Sequence, residues 1–279
     1  MTKIKAFAVC DAGYIDPAII ALSSFMKFNP GIPVVVYVEA GINYKRLTRS
    51  LRGYSVEFRE AELPQLPEHA GVRNPYSDLF FRPEALPAYA QRIKALEAMR
   101  DEADFIVNID LDTLTRNGIT PLLDRGLDRA CIYGVNERKN RDRWISSLGV
   151  KDITAGPVYI NTGFVIYGRD ALPADLFLRY REFLKANGPD LFCPEQDFIN
   201  YALADRIRAI PNNYNMMFTA EDYTRTAPVI IHYLGSAKPW SDQQQTDPRM
   251  GYYFRLYRRI AEQEPELASE FMQKIARNT

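Results

Sequence analysis

Phe105-Ile106-Val107-Asn108-Ile109-Asp110-Leu111-Asp112 is the stretch on which the reading of this chain turns. A mostly apolar, β-branched run, too short for a typical helix, stops abruptly at two carboxylates spaced one residue apart. Such a run predicts a buried strand that delivers acids to its carboxyl end. In open α/β sheets the ligand crevice lies outside that end. If the backbone stays extended through Leu111, Asp110 and Asp112 project to one side and can face one divalent cation, while Leu111 points back into protein. Acids are also common where strands run into turns, so the triplet alone leaves a solvated strand end as the competing explanation.

Outward from this run, the chain alternates strands and helices. Residues 4 to 10 form an apolar strand, Asp11-Ala12-Gly13-Tyr14 a turn, and a helix starts near Asp16-Pro17 with Ile19, Ile20, Leu22, Phe25 and Met26 on a broad apolar face. Asn29-Pro30-Gly31 stops it before the strand Val34 to Val38, which implies a parallel crossover. A helix near Tyr44 to Leu51 and a strand at Tyr54 to Phe58 repeat the unit, giving a nucleotide-binding type of α/β layer without a GxGxxG or P-loop. Leu63 to Pro87 carries five prolines and predicts an excursion over the surface. A helix from about Ala88 to Arg100 leads into the pivotal strand, and Thr120-Pro121 starts another after it.

Farther on, Ala130 to Val135 is a strand, and the basic run Arg138 to Arg143 is read as a solvated loop, or as a contact for an acceptor phosphate. Val158 to Tyr167 is a strand interrupted by Asn161-Thr162-Gly163, where glycine points to close backbone approach by a ligand or another segment. Asp175 to Ala186 is helical, Pro194-Glu195 opens a further helix, and Val229-Ile230-Ile231 ends at His232, one of two histidines with His69. Met250 to Ile260 is basic and aromatic, a pattern that packs on the domain or meets a membrane surface, and a last helix spans about Glu264 to Ala276.

Length and composition bound the function. With 279 residues and 47% hydrophobic content, the chain can bury one large core, so we expect a single domain over 1–279 with about 241–279 as a helical C-terminal extension. Thirty-five basic residues balance thirty-five acidic ones, which gives no global attraction for nucleic acid. The odd, scattered cysteines Cys10, Cys131 and Cys193 suit small buried hydrophobes in a reducing compartment. Without signal-peptide architecture or an apolar run near the ~18 residues of a membrane span, the expectation is a cytoplasmic protein, with peripheral contact at the inner face of a membrane through the C-terminal segment as an added option.

The most specific chemistry lies in His232-Tyr233-Leu234-Gly235-Ser236-Ala237-Lys238-Pro239-Trp240. A histidine at a strand end, a glycine and a lysine make a plausible diphosphate clamp, in which His binds metal, Gly admits phosphate and Lys neutralises charge. Together with Asp110-Leu111-Asp112, Asn161-Thr162-Gly163 and Glu195-Gln196-Asp197, this segment resembles glycosyltransferase family 8, the group of glycogenin and the bacterial lipopolysaccharide galactosyl- and glucosyltransferases. The resemblance runs in order from the first strand to about Trp240.

The resemblance implies a GT-A-type, Rossmann-like α/β fold with a mixed central sheet, a UDP-sugar donor, Mn²⁺ and transfer of a hexose with retention to a carbohydrate or lipid-linked glycan acceptor. By position it implies Asp110, Asp112 and His232 as metal ligands, Gly235 and Lys238 on the diphosphate, and Tyr14 stacked on uracil. Asp11 and the Val9 backbone match the nucleotide-binding loop loosely, and Arg92 sits where a basic residue faces the diphosphate, with Arg82 a weaker competitor. Asn161 would bind sugar hydroxyls with Gly163 permitting approach, and Gln196 and Asp197 would lie under the anomeric carbon. Two departures stand out: Glu195 replaces the first acid of an Asp-Gln-Asp triplet, and Asn136-Glu137 stands where a sugar-binding aspartate is frequent. No pair of carboxylates of the kind a retaining glycosidase uses, ~5 Å apart, is identifiable. Two other classes remain open: a nucleotidyltransferase, and a non-catalytic sugar-nucleotide or glycan-binding protein.

Overall fold

The computed structural model describes residues 2–66, 86–148, 152–154, 156–188, 191, 193–217, 227–235, 238–241 and 248–277. His69, Arg82 and most of the proline-rich excursion fall outside these residues. In chain order the elements are β1 (Ile4–Cys10), α1 (Ile15–Phe28), β2 (Val34–Glu39), α2 (Lys45–Ser50), β3 (Val56–Ala61), α3 (Leu86–Met99), β4 (Phe105–Ile109) and β5 (Thr113–Thr115). Then follow α4 (Thr120–Leu123), β6 (Ile132–Asn136), α5 (Arg138–Leu148), β7 (Ile160–Gly168), α6 (Leu176–Asn187) and α7 (Pro194–Ala202). The chain continues with β8 (Ile207–Ile210), β9 (Met216–Met217), β10 (Ile230–His232), α8 (Pro248–Ala261) and α9 (Ser269–Arg277).

A seven-stranded sheet runs in the order β3-β2-β1-β4-β7-β6-β8. Strands β3, β2, β1 and β4 run parallel to one another, β7 is antiparallel to both β4 and β6, and β6 is parallel to β8. The sheet is therefore mixed, with helices on its faces. From β1 the chain winds outward to β2 and β3, then returns to place β4 on the other side of β1. That reversal opens a crevice at the carboxyl ends of β1 and β4.

The apolar residues of β4 explain its central place: Phe105, Ile106, Val107 and Ile109 are all buried, each contributing about 1.5–3 kcal/mol by leaving water. Asn108, fully buried among them, would cost free energy unless bonded. Its Nδ2 donates to the Thr162 carbonyl at 2.7 Å, tying β4 to the polar start of β7. On the far side of β7, β6 slips register and pairs Gly134 with Val165 but Asn136 with Ile160, skipping the residues between. Side chains of α7 fill the gap: Asn200 bonds both backbone groups of Ile160 at 2.7 and 2.8 Å, and Gln196 Oε1 accepts from the Thr162 N–H at 3.1 Å. Buried backbone groups thus find partners in a helix where the ladder is missing.

After β4 the backbone does not stay extended through Leu111, so the condition for two aspartates projecting to one side of a strand is not met. The chain turns at Leu111 and Asp112, with the Thr113 hydroxyl donating to the Asp110 carbonyl at 2.6 Å, and enters a separate three-stranded sheet ordered β5-β10-β9. Leu111 is buried as expected. The basic run Arg138 to Arg143 is helical and not a loop, and Asp142, Asp152 and Asp197 supply counter-charges to Arg138 and Arg141, while Lys139 and Arg143 are exposed. Arg141 within it is fully buried.

The C-terminal helices carry their aromatics inward. Phe254, Tyr257 and Phe271 are buried in a cluster with Tyr233 and half-buried Trp240. Arg258 is buried and donates to the Pro239 carbonyl at 3.1 Å. No described helix is long and apolar enough to cross a membrane. Cys10, Cys131 and Cys193 are all free thiols.

Candidate active site

Loops and strand ends at one edge of the sheet bring the expected residues together. Asp11 and Tyr14 follow β1, Asp110 and Asp112 follow β4, Glu137 follows β6, and the antiparallel β7 begins at this same edge with Asn161, Thr162 and Gly163. The small sheet supplies the rest: β10 pairs with β5 so that His232 lies opposite Thr113, and the Tyr233 N–H donates to the Asp112 carbonyl at 2.9 Å. Strand pairing therefore sets a histidine from far along the chain beside the aspartates.

One ligand atom each from Asp110, Asp112 and His232 lies within 4.8 Å of the other two, close enough to hold a single ion. His232 Nε2 is 3.1 Å from Asp112 and 3.8 Å from Asp110. Its Nδ1 is 3.0 Å from Asn215 Oδ1, and Asn215 Nδ2 donates in turn to Asn161 Oδ1 at 2.8 Å. An amide oxygen can only accept, so Nδ1 carries a proton toward Asn215, and Nε2 is the ring nitrogen that faces the carboxylates. Gly163 is what lets the ring sit there. A Cβ on it would fall 2.1 Å from His232 Cε1, so the segment approaching this glycine is the histidine itself.

Two cations rest on the carboxylates. Lys238 Nζ lies 2.6 Å from Asp112 and also donates to the Tyr233 carbonyl, while Arg92 reaches from α3 to Asp110 at 2.6 Å and Glu195 at 3.1 Å. Burial opposes ionisation of Asp112, but Lys238 and His232 outweigh it and hold this carboxyl well below the usual range. Burial raises Asp110, against the pull of Arg92. Burial would likewise weaken the Arg92 base, yet Asp110 and Glu195 keep it firmly protonated. Arg92 thus bridges a candidate metal ligand and the acid that opens α7. Gly235 carries φ +74°, a left-handed turn that favours glycine. The Tyr14 and Trp240 rings are nearly perpendicular with centroids 6.4 Å apart, joining the first loop to the segment that carries Lys238. Asp11 accepts from the Gly13 N–H at 2.8 Å, and Val9 lies half-buried on β1.

Behind the clamp is a buried polar layer. Gln196 Nε2 donates to Glu137 and, at 3.0 Å, to Tyr159 Oη. Glu195 Oε2 accepts from Thr162 Oγ1 at 2.9 Å, while its Oε1 is buried without a partner among the described residues. Asn161 is wholly engaged, its Oδ1 by Gly163 and Asn215 and its Nδ2 toward Glu137 at 3.4 Å. Asp197 is fully enclosed by Arg141 at 2.6 Å, the Tyr159 hydroxyl at 2.7 Å and the Cys193 N–H at 3.1 Å. Burial pushes both Glu137 and Glu195 up to about 7. Glu137, Tyr159, Arg141 and Asn215 were missed as site residues in the sequence. Glu137 carried a signal as a departure from the related pattern, and Arg141 only as part of the basic run Arg138 to Arg143.

A family model described as glycosyl transferase family 8 matches residues 6–244. The chain belongs to that family. Among curated family relatives it is 26% identical over 162 residues to the lipopolysaccharide glucosyltransferase WaaO of Escherichia coli K12, covering 50% of this chain and 47% of WaaO. It is 35% identical over 106 residues to galactinol synthase 2 of Ajuga reptans, covering 36% of this chain and 34% of that one. The family member thus aligns with half or less of each of these relatives. Among solved structures, galactosyltransferase LgtC in complex with donor and acceptor sugar analogs superposes with TM-score 0.74 at 18% identity, over 97% of this chain and 99% of LgtC. This likeness establishes the GT-A-type fold for the family 8 chain.

Proposed function

We propose that the protein is a metal-dependent, retaining transferase that moves a hexose from a UDP-sugar to a carbohydrate acceptor. The observation that carries this reading is the convergence of Asp110, Asp112 and His232 beside Lys238 at the crevice between β1 and β4. The donor set fits a divalent cation: two carboxylates and an imidazole whose tautomer is fixed by Asn215. Mixed oxygen and nitrogen ligands suit Mn²⁺ better than Ca²⁺. Bound there, the ion would supply Lewis-acid stabilisation for the charge that grows on the departing diphosphate.

The chain's own groups do the remaining work. Lys238 leaves Asp112 for the diphosphate, with the exposed turn at Gly235 giving backbone access. Tyr14 stacks on uracil, with Asp11 and the Val9 backbone addressing its edge and the ribose. Arg92 orients Asp110 and Glu195, and Glu195 Oε1, lacking a partner among the described residues, accepts from a donor-sugar hydroxyl. The acceptor hydroxyl attacks the face from which UDP leaves, the departing phosphate takes its proton, and Gln196 presents its amide oxygen to the oxocarbenium-like centre. Asp197 acts on Gln196 from behind and does not touch the sugar.

Release of free UDP from a panel of UDP-hexoses with Mn²⁺ tests the reading. Asp112→Asn should abolish turnover, and Gln196→Ala should lower it by about 10²-fold or more. Pyrophosphate as product would instead show a nucleotidyltransferase, and donor binding without UDP release across many acceptors a binding protein. For a lipid-linked acceptor, the outward residues Tyr252, Arg255 and Arg259 of α8 offer a basic aromatic surface. Co-sedimentation that ignores anionic lipid would remove that part of the reading.

A further inference from the structure

An amide side chain used in catalysis has two ends of similar shape, and something must decide which end faces the substrate. At Gln196 the decision is made by proton bookkeeping on one hydroxyl. Tyr159 Oη has one proton and two lone pairs. It lies 2.7 Å from Asp197 Oδ1, 3.0 Å from Arg141 Nη1 and 3.0 Å from Gln196 Nε2. The guanidinium can only donate, and Asp197, ion-paired to Arg141 at 2.6 Å, can only accept. The tyrosine proton is therefore committed to Asp197, and toward Gln196 the hydroxyl is an acceptor.

We propose that Tyr159 is a positioning residue that fixes the Gln196 amide, with the buried Arg141–Asp197 pair fixing Tyr159. The Gln196 NH₂ group has two acceptors, Tyr159 Oη and the Glu137 carboxylate, and its oxygen has a donor in the Thr162 N–H at 3.1 Å. Rotating the amide by half a turn would set its oxygen against a tyrosine oxygen with no free proton, and its NH₂ group against an N–H. The guanidinium of Arg141 also lies over the Tyr159 ring, 4.2 Å from its centroid, which holds the ring itself. All four side chains are buried, so water cannot replace a missing partner cheaply. An ion pair beneath the sheet edge is thereby converted into the direction of one carbonyl.

The inference rests on the reading that Gln196 faces the reacting centre, and the test separates the two. Tyr159→Phe keeps the ring, the Arg141–Asp197 pair and both other Gln196 bonds, and removes only the hydroxyl. UDP release with a UDP-hexose and Mn²⁺ is measured for wild type, Tyr159→Phe, Gln196→Ala and the double variant, with donor KM and thermal midpoint for each. We expect Tyr159→Phe to lower kcat by about 10- to 100-fold with donor KM unchanged, and the double variant to be no slower than Gln196→Ala. Additive losses, or a fall in kcat that tracks KM and the thermal midpoint, would overturn the positioning role. Wild-type kcat in Tyr159→Phe alongside a slow Gln196→Ala would overturn it while sparing the role of Gln196. Wild-type turnover in Gln196→Ala would remove the reading beneath both.

Discussion

Lys238 Nζ lies 2.6 Å from Asp112 Oδ2, on the carboxylate whose other oxygen is 3.1 Å from His232 Nε2. In the proposed reaction a lysine and a divalent ion would compete for the same acid, and a bound diphosphate would relieve the competition by taking the lysine. Lys238→Met should tighten Mn²⁺ binding in the absence of nucleotide by up to about tenfold, while weakening UDP binding in its presence. Calorimetric titration of Mn²⁺ with and without UDP reads both signs. Weaker Mn²⁺ binding by the variant alone would mean that Lys238 does not hold Asp112 against the metal.

Asn215 touches no ligand in the proposed reaction, yet it fixes which nitrogen of His232 is free. Asn215→Ala should lower Mn²⁺ affinity about 10- to 100-fold. Electron paramagnetic resonance of free Mn²⁺ measures this without turnover, and unchanged affinity would show that the tautomer is set by something else.

Gly163 gives a steric counterpart. An alanine methyl would overlap the His232 ring and force it or β7 to shift, at a cost of about 1–3 kcal/mol in stability. Gly163→Ala should therefore lose Mn²⁺ binding along with that stability. A variant that melts like wild type and binds Mn²⁺ normally would contradict the packing described.

Glu137 predicts a pH effect whose sign follows from burial. Burial raises its carboxyl to about 7, against the pull of Gln196, Asn161, His232 and Arg141, whereas its ordinary value is 4.5. The folded state holds the proton more tightly, so the stabilising contribution is full below about 4.5 and is lost as pH rises through about 7. Glu137→Gln mimics the protonated form permanently. Relative to wild type it should gain up to about 3 kcal/mol at pH 8 and little at pH 5. Equal differences in thermal midpoint at both pH values would show that Glu137 does not titrate as described.

The elements legible in the sequence were those whose pattern is local. Strands β1, β2, β4 and β7 read as apolar runs with Asp110, Asp112 and His232 at strand ends, and the resemblance to family 8 is what joined those three residues into one expected metal site. The turn at Leu111 did not show, since three-residue β5 gains its strand character only from pairing with β10. Arg141 was read as solvent-facing because nothing in Arg138 to Arg143 encodes Asp197, which folding brings to it from the start of α7. Gly163 was legible as a close approach, but the approaching group was not. Tyr159 looked like one more strand aromatic, and its hydroxyl matters only through partners on α5 and α7.

The proposed reaction is retaining transfer from a UDP-sugar at a site held by Asp110, Asp112 and His232. Time-resolved proton NMR of the enzyme with α-linked UDP-glucose or UDP-galactose, Mn²⁺ and an acceptor sugar reads donor, product anomer and metal dependence in one sample. Free UDP should appear together with an α-linked product, stopped by EDTA and absent in Asp112→Asn. A β-linked first product, or undiminished turnover in EDTA, would contradict that reaction.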